Sequence, residues 1–143
     1  MIYLLYGQPG SGKTVLGNRL ANYLSTNHII DGDKFRKFFT NTKYNREGRE
    51  LNITRVNAVA TYLNKTQKEP IILSFVNPYE LLRRELKINN FAQVKEILLV
   101  TDRQLRKEYH CLDFEVGNPD FKLNTDRPVE TTWNFLRYMV MED

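Results

Sequence analysis

Apolar and polar positions along this chain switch repeatedly between a strand-like and a helix-like rhythm. Ile2 to Tyr6 is an unbroken apolar run that predicts a buried strand. Leu16, Leu20 and Leu24 then recur every four residues and predict an amphipathic helix reaching about Thr26. His28-Ile29-Ile30, ending at Asp31, reads as a second strand, and Asp31-Gly32-Asp33 opens a helical stretch carrying Phe35, Phe38 and Phe39. Residues 40–48 form a polar connector, followed by a longer helix from about Arg49 to Asn64 that buries Ile53, Val56, Ala60 and Leu63. Ile71 to Phe75 is a third strand, apolar enough for burial on both faces. Pro78 suits the first position of the next helix, which continues through Leu81, Leu82 and Leu86. Glu96 to Val100 predicts a fourth strand, 102–109 a short charged helix, and 110–119 a loop containing Gly117 and Pro119. A weaker strand over Asp120 to Asn124 and a final helix from Pro128, with Val129, Trp133, Leu136 and Val140 facing inward, complete the chain.

Strands alternating with helices, with the strands buried, predict a three-layer α/β sandwich around a mostly parallel sheet of about five strands, in a single domain over residues 1–143. The first strand runs directly into Gly7-Gln8-Pro9-Gly10-Ser11-Gly12-Lys13-Thr14, which fits the phosphate-loop pattern G-x-x-x-x-G-K-[ST] in the strand-then-helix context that pattern needs. Glycines let backbone N–H groups close on a polyphosphate as an anion nest. Lys13 would reach the β- and γ-phosphates from the helix start, and the Thr14 hydroxyl would ligate Mg²⁺. The fold class is therefore a P-loop NTPase/kinase sandwich, with ATP and Mg²⁺ as the expected cofactors.

Composition narrows the partners. With 41% hydrophobic and 27% charged residues the chain has the balance of a soluble domain, and no stretch approaches a membrane span. Met1 to Leu5 carries no basic leader or cleavage site, and the lone Cys111 excludes a disulfide framework or a thiolate metal cluster; both suit a reducing cytoplasm. A net charge of +4 and a pI near 9.2 suit a cleft that holds two anionic ligands. The basic residues form no block, and neither an RNA-binding sheet motif nor a zinc finger is visible, so nucleic acid is the less favoured partner.

In open α/β sheets ligands gather beyond the carboxyl ends of the strands. Three polar groups of this sequence fall there: the glycine loop, Asp31 with Asp33, and Ser74 with Asn77. A kinase needs a carboxylate to orient the acceptor hydroxyl and take its proton, and positive charge around the transferring phosphoryl group. Asp33 and Arg36 share one face of a helical turn, one for the hydroxyl and one for a nearby phosphate; the plainer alternative is that Asp33 caps the helix. Asp31 is either a Mg²⁺ ligand or the base itself, and since no apolar strand ends in another aspartate, the metal-supporting role passes to it by elimination. Arg49 and Asn52 on the polar face of the long helix read as an anion clamp, with Arg55 as readily a solvated residue. Phe75 is either core or a stacking platform for a base, and Arg83 is a further anion ligand. Arg103, Arg106 and Lys107 are the cations of a reduced lid around 101–119, with Arg106 the candidate for the γ-phosphate.

The segments Gly7 to Thr14, Asp31-Gly32-Asp33-Lys34-Phe35-Arg36, Arg49-Glu50-Leu51-Asn52-Ile53 and Ser74-Phe75-Val76-Asn77-Pro78-Tyr79 with Arg83 resemble the adenylylsulfate kinase family over about residues 1–100. The resemblance implies transfer of the γ-phosphoryl of ATP to the 3′-hydroxyl of adenosine 5′-phosphosulfate. It implies that the Asp-Gly-Asp segment supplies the carboxylate, that Arg36, Arg49 and Asn52 grip the phosphosulfate, that Phe75 stacks on adenine, and that the turn from Val76 and Asn77 through Pro78 and Tyr79 shapes the pocket. The family forms dimers, although no stripe in this sequence marks an interface. Lys34, Gly48 and Thr54 stand where the family usually has asparagine, aspartate and arginine. The family's Lys-Gly-Leu-Tyr lid run and its second stacking phenylalanine have no recognisable copy between Val100 and Phe121. A more open site leaves a nucleoside, a sugar nucleotide, a polynucleotide end or a modified base as alternative acceptors, and a non-catalytic nucleotide-binding module as the alternative to an enzyme.

Overall fold

The computed structural model describes residues 1–104 and 106–141. Its elements run β1 (Ile2–Tyr6), α1 (Lys13–Tyr23), β2 (Ile29–Asp31), α2 (Gly32–Lys37), α3 (Arg46–Thr66), β3 (Ile71–Ser74), α4 (Glu80–Asn89), β4 (Val94–Val100), a 3₁₀ turn (Lys107–Tyr109), β5 (Phe121–Asn124) and α5 (Val129–Met141). The five strands form one sheet in the order β2-β3-β1-β4-β5, and every pairing is parallel. Alternate residues of each strand face opposite sides, so two cores form. Leu4, Tyr6, Leu73 and Leu98 pack with Ile53, Val56 and Ala60 of α3 and Leu86 of α4. Leu5, Ile72, Ile97, Leu99 and Leu123 pack with Leu16 and Leu20 of α1 and Trp133 and Leu136 of α5. Each of these fully buried aliphatic side chains contributes roughly 1.5–3 kcal/mol. That makes three layers, with β1 at the centre.

From β1 the chain moves to one side for β2 and β3, then crosses to the other for β4 and β5. The loops after β1 and β3 therefore diverge, which opens a crevice at the carboxyl ends of these strands.

Several boundaries differ from the sequence expectation, each for a local reason. α1 stops at Tyr23 rather than Thr26 because Ser25 turns left-handed (φ 54°) and the N–H groups of Ser25 and Thr26 return to Asn22 O and Ala21 O. α3 starts at Arg46, inside the expected connector, because Asn45 caps it by accepting from the Gly48 N–H. Gly48 thus lies in the first turn of α3 rather than in the connector; a Cβ there would lie 2.2 Å from Lys43 O. Pro78 does not begin α4. Asn77 is left-handed (φ 45°), Tyr79 is the N-cap residue, and Glu115 accepts from the Glu80 N–H. β3 ends at Ser74, one residue before the expected Phe75, while β4 begins two residues before Glu96, at Val94. The charged helix expected over 102–109 shrinks to the 3₁₀ turn, since Asp126 takes the Asp102 N–H and Thr101 hydroxyl and holds this stretch as a turn; position 105 lies outside the described residues. No helix among the described residues is long and apolar enough to cross a membrane.

One contact joins fold to site. Gly32 opens α2 against β3, where a Cβ would lie 2.3 Å from Phe75 Cβ and 3.0 Å from its Cγ. Gly32→Ala should therefore push Phe75 or α2 out of place and lower stability by about 1–3 kcal/mol, read in urea unfolding as a lower midpoint with an unchanged slope.

Candidate active site

A cleft of ≈ 280 Å³ lies at the strand ends, lined by Pro9, Gly10, Gly12, Lys13 and Thr14 on one side and by Asp31 to Asp33, Phe75 to Pro78 and Arg106 around the rest. The phosphate loop takes its shape from left-handed Gly10 (φ 83°) and Gly12 (φ 97°), a backbone that side-chain-bearing residues rarely adopt. Gly7 lies behind it, where a Cβ would meet Leu99 O at 2.5 Å. Lys13 opens α1 with its ammonium on Gln8 O at 2.8 Å and on the Ser11 hydroxyl at 3.2 Å. Burial brings the Lys13 pKa down to about 8; Arg106 pushes the same way, while Asp33 and Asp31 oppose.

Asp31, not Asp33, caps α2. Its Oδ1 accepts from the Asp33 N–H at 3.0 Å and the Lys34 N–H at 3.3 Å, and its Oδ2 accepts from the Thr14 hydroxyl at 2.9 Å. The Asp33 side chain is left facing the cleft, where Arg106 Nη1 reaches its Oδ2 at 3.1 Å. Among the described residues no cluster of three or more His, Cys, Asp or Glu builds a metal site from protein alone. The Thr14–Asp31 pair offers two hard oxygens side by side, a donor set that fits Mg²⁺, which commonly takes one or two protein oxygens and completes its shell with phosphate and water.

The other expected residues stand around the cleft in unequal positions. Arg36 is buried on the cleft wall, its Nη2 donating to Lys43 O and Gly48 O and its guanidinium 4.0 Å from the Tyr44 ring centroid; its Nε has no partner among the described residues. Arg49 donates from Nη2 to Tyr109 O at 2.8 Å, and Asn52 holds Gly32 O with its Nδ2 while its buried Oδ1 has no partner among the described residues. Phe75 is 6% exposed and belongs to the core while also lining the cleft. Val76 accepts the Gly7 N–H on its carbonyl, and Asn77 keeps both carboxamide atoms buried with no partner among the described residues.

Arg83 is not brought into the cleft. It is 1% exposed behind it, donating to Asn77 O and Glu115 O, 4.0 Å from Glu96 and 4.4 Å from the Tyr6 ring centroid. Arg55 lies over Phe39, and Arg103 is bonded to Thr125. Cys111 is a free buried thiol, pushed up to about 11 by burial first and by its bond to Asp113, which keeps it protonated at neutral pH.

Two aromatic residues of the cleft escape the sequence reading. Tyr44 and Tyr109 line the wall with ring centroids 4.9 Å apart. Their signal was an aromatic residue standing alone in a polar stretch, one in the connector and one in the lid.

A buried ammonium held on two neutral oxygens costs stability. The folded pKa near 8 lies below the ordinary 10.5, so the cost is fully present below pH 8 and fades as pH rises from there. Lys13→Met should stabilise the nucleotide-free protein at pH 7 by on the order of 2 kcal/mol, with the gap narrowing above pH 8 in thermal unfolding, and should abolish stabilisation by ATP. Thr14→Val should weaken Mg²⁺·ATP binding by about tenfold and leave binding without the metal unchanged in calorimetry.

The chain has recognisable relatives. The Mycobacterium tuberculosis APS kinase, solved with AMPPNP and APS, superposes with a TM-score of 0.81 at 18% identity, covering 98% of this chain and 96% of that one. A gluconokinase from Sinorhizobium meliloti follows at a TM-score of 0.70 and 12% identity, covering 98% and 91%. At these identities the likeness is one of fold. An adenylate kinase from Chlamydia caviae is 50% identical over 36 residues, 25% of this chain and only 17% of that relative's length. The family description "Adenylylsulphate kinase" matches residues 1–108, and so, with the P-loop kinase fold and the loop described above, this chain belongs to the adenylylsulphate kinase family.

Proposed function

We propose that the protein transfers the γ-phosphoryl group of Mg²⁺-bound ATP to a hydroxyl of a small anionic nucleotide, and that the 3′-hydroxyl of adenosine 5′-phosphosulfate is the first acceptor to test. The observation that carries this reading is the position of Asp33. Relieved of capping α2, its carboxylate stands in the cleft beside Lys13 and opposite Arg106.

Each residue then has a role. The loop N–H groups and Lys13 hold the β- and γ-phosphates in place. Thr14, supported by Asp31, would hold Mg²⁺, which would supply positive charge to the phosphate oxygens. Asp33 accepts the proton of the acceptor hydroxyl as its oxygen forms the new P–O bond; the bond between the γ-phosphorus and the β–γ bridging oxygen breaks, and ADP leaves with that electron pair. Arg106 moves from Asp33 toward the γ-phosphoryl oxygens as their charge redistributes. Across the cleft, Phe75 with Tyr44 and Tyr109 offers aromatic faces to a base. Arg36, Arg49 and the Asn77 Nδ2 supply donors for the anionic part, and the Oδ1 atoms of Asn52 and Asn77 accept from N–H or O–H groups of the same ligand. Arg83 serves this side from behind, by holding Asn77 O. The Mycobacterium tuberculosis relative solved with both AMPPNP and APS supports this choice of acceptor.

Asp33→Ala should lower turnover by about 10²-fold or more while leaving the ATP dissociation constant within a few-fold of wild type. Labelled ATP with a panel of acceptors — adenosine 5′-phosphosulfate, nucleosides, sugar nucleotides, gluconate and a 5′-hydroxyl oligonucleotide — checks the substrate. Faster turnover of any other acceptor would replace adenosine 5′-phosphosulfate, and full activity of the Asp33 variant would remove that carboxylate from the mechanism.

A further inference from the structure

The lid segment from Arg106 to Val116 has only one three-residue turn of regular structure, yet it brings Arg106 and Tyr109 to the cleft. Arg106 itself is left-handed (φ 56°), a backbone that a non-glycine residue does not choose unaided. Position in this segment is therefore imposed from outside. Tyr109 O is held by Arg49, Glu115 O by Arg83, and Val116 O by the Tyr6 hydroxyl, all from the scaffold.

A further anchor comes from the phosphate loop. Gln8 Nε2 donates to Cys111 O at 2.8 Å, and Gln8 Oε1 accepts from the Cys111 N–H at 2.9 Å. One carboxamide thus meets both backbone groups of one residue, the two-bond exchange that neighbouring antiparallel strands make, and this fixes orientation as well as distance. The carbonyl of the same Gln8 accepts from Lys13 Nζ at 2.8 Å. Backbone and side chain of one loop residue therefore touch the phosphate-binding lysine and the lid.

We propose that Gln8 is a positioning residue for the lid, holding Arg106 over the reaction cleft through its paired hydrogen bonds to Cys111. Arg49 holds Tyr109 O and Arg106 donates to Asp33, but neither bond ties the lid to the phosphate loop; the Gln8 pair does. Without the anchor at Cys111 the segment shifts relative to the phosphate loop and carries Arg106 with it. The bonds from Arg49 and Arg83 set the lid against the helices; Gln8 sets it against the loop that carries the nucleotide. The kinetic consequence rests on the kinase reading above, whereas the hold on the lid does not.

Gln8→Met keeps the side chain's length and removes both bonds. With ADP bound, hydrogen exchange at the Cys111 amide should accelerate about tenfold, while the ADP dissociation constant changes by less than about threefold. With the best acceptor, kcat should fall about tenfold at an unchanged KM for ATP, and in an Arg106→Ala background Gln8→Met should lower kcat no further. Gln8→Asn, whose carboxamide falls one carbon short, is expected to act in the same direction and serves if the methionine variant does not fold. Wild-type exchange at Cys111, or a loss of kcat that adds to that of Arg106→Ala, overturns the proposal. If no acceptor is phosphorylated, it is the kinase reading that fails, and the exchange measurement still decides whether Gln8 holds the lid.

Discussion

A single carboxylate organises this site. Asp31 accepts two backbone N–H groups at the start of α2 with one oxygen and the Thr14 hydroxyl at the start of α1 with the other. It sits at the end of β2, so one side chain ties an edge strand to two helix N-termini. Helix N-termini favour negative charge, and charge-assisted bonds of this kind hold their geometry well. The consequence reaches Asp33: with the cap supplied two residues earlier, its carboxylate is free to face the cleft.

The sheet makes that arrangement stiff. β1 and β3 are buried on both faces, and their ends deliver the glycine loop and Phe75 to adjacent positions at the point where the chain changes direction. Gly32 lets α2 approach Phe75 closely, so the carboxylates and the aromatic floor share one rigid support. Behind the floor, Arg83 ties the left-handed Asn77 turn to Glu115 and sits near Glu96, whose pKa burial raises and Lys87 and Arg83 pull back down. The cleft carries local cost: an ammonium held well below its usual pKa by burial, and carboxamide atoms with no partner among the described residues.

The lid is the opposite case. Apart from a 3₁₀ turn it has no regular structure, and it is held by side chains reaching its backbone from β1, the phosphate loop, α3 and α4, together with Phe114 packed on the core and the Glu115 N–H on Pro78 O. Its position is therefore set by contacts distant in sequence rather than by its own backbone pairing.

Much of this was legible in the sequence. Strand runs, four-residue leucine spacing and the glycine loop encode local rules, and these carried the element order, the parallel α/β class and the grouping of the glycine loop, Asp31 with Asp33, and Ser74 with Asn77 at one end of the sheet. Local rules fail where a residue's partner is distant in the chain. That Asp31 rather than Asp33 caps α2, that Arg36 turns to Lys43 and Gly48, that Arg83 lies behind the cleft, and that Tyr44 meets Tyr109 all depend on which side chain arrives first at a given donor or ring. The same holds for Gly48, which the sequence leaves in a polar connector and the fold places in α3 with Lys43 against it. Periodicity along the chain determines what forms and which way it faces; only packing in three dimensions decides which polar groups are already satisfied by the protein and which are left for a ligand.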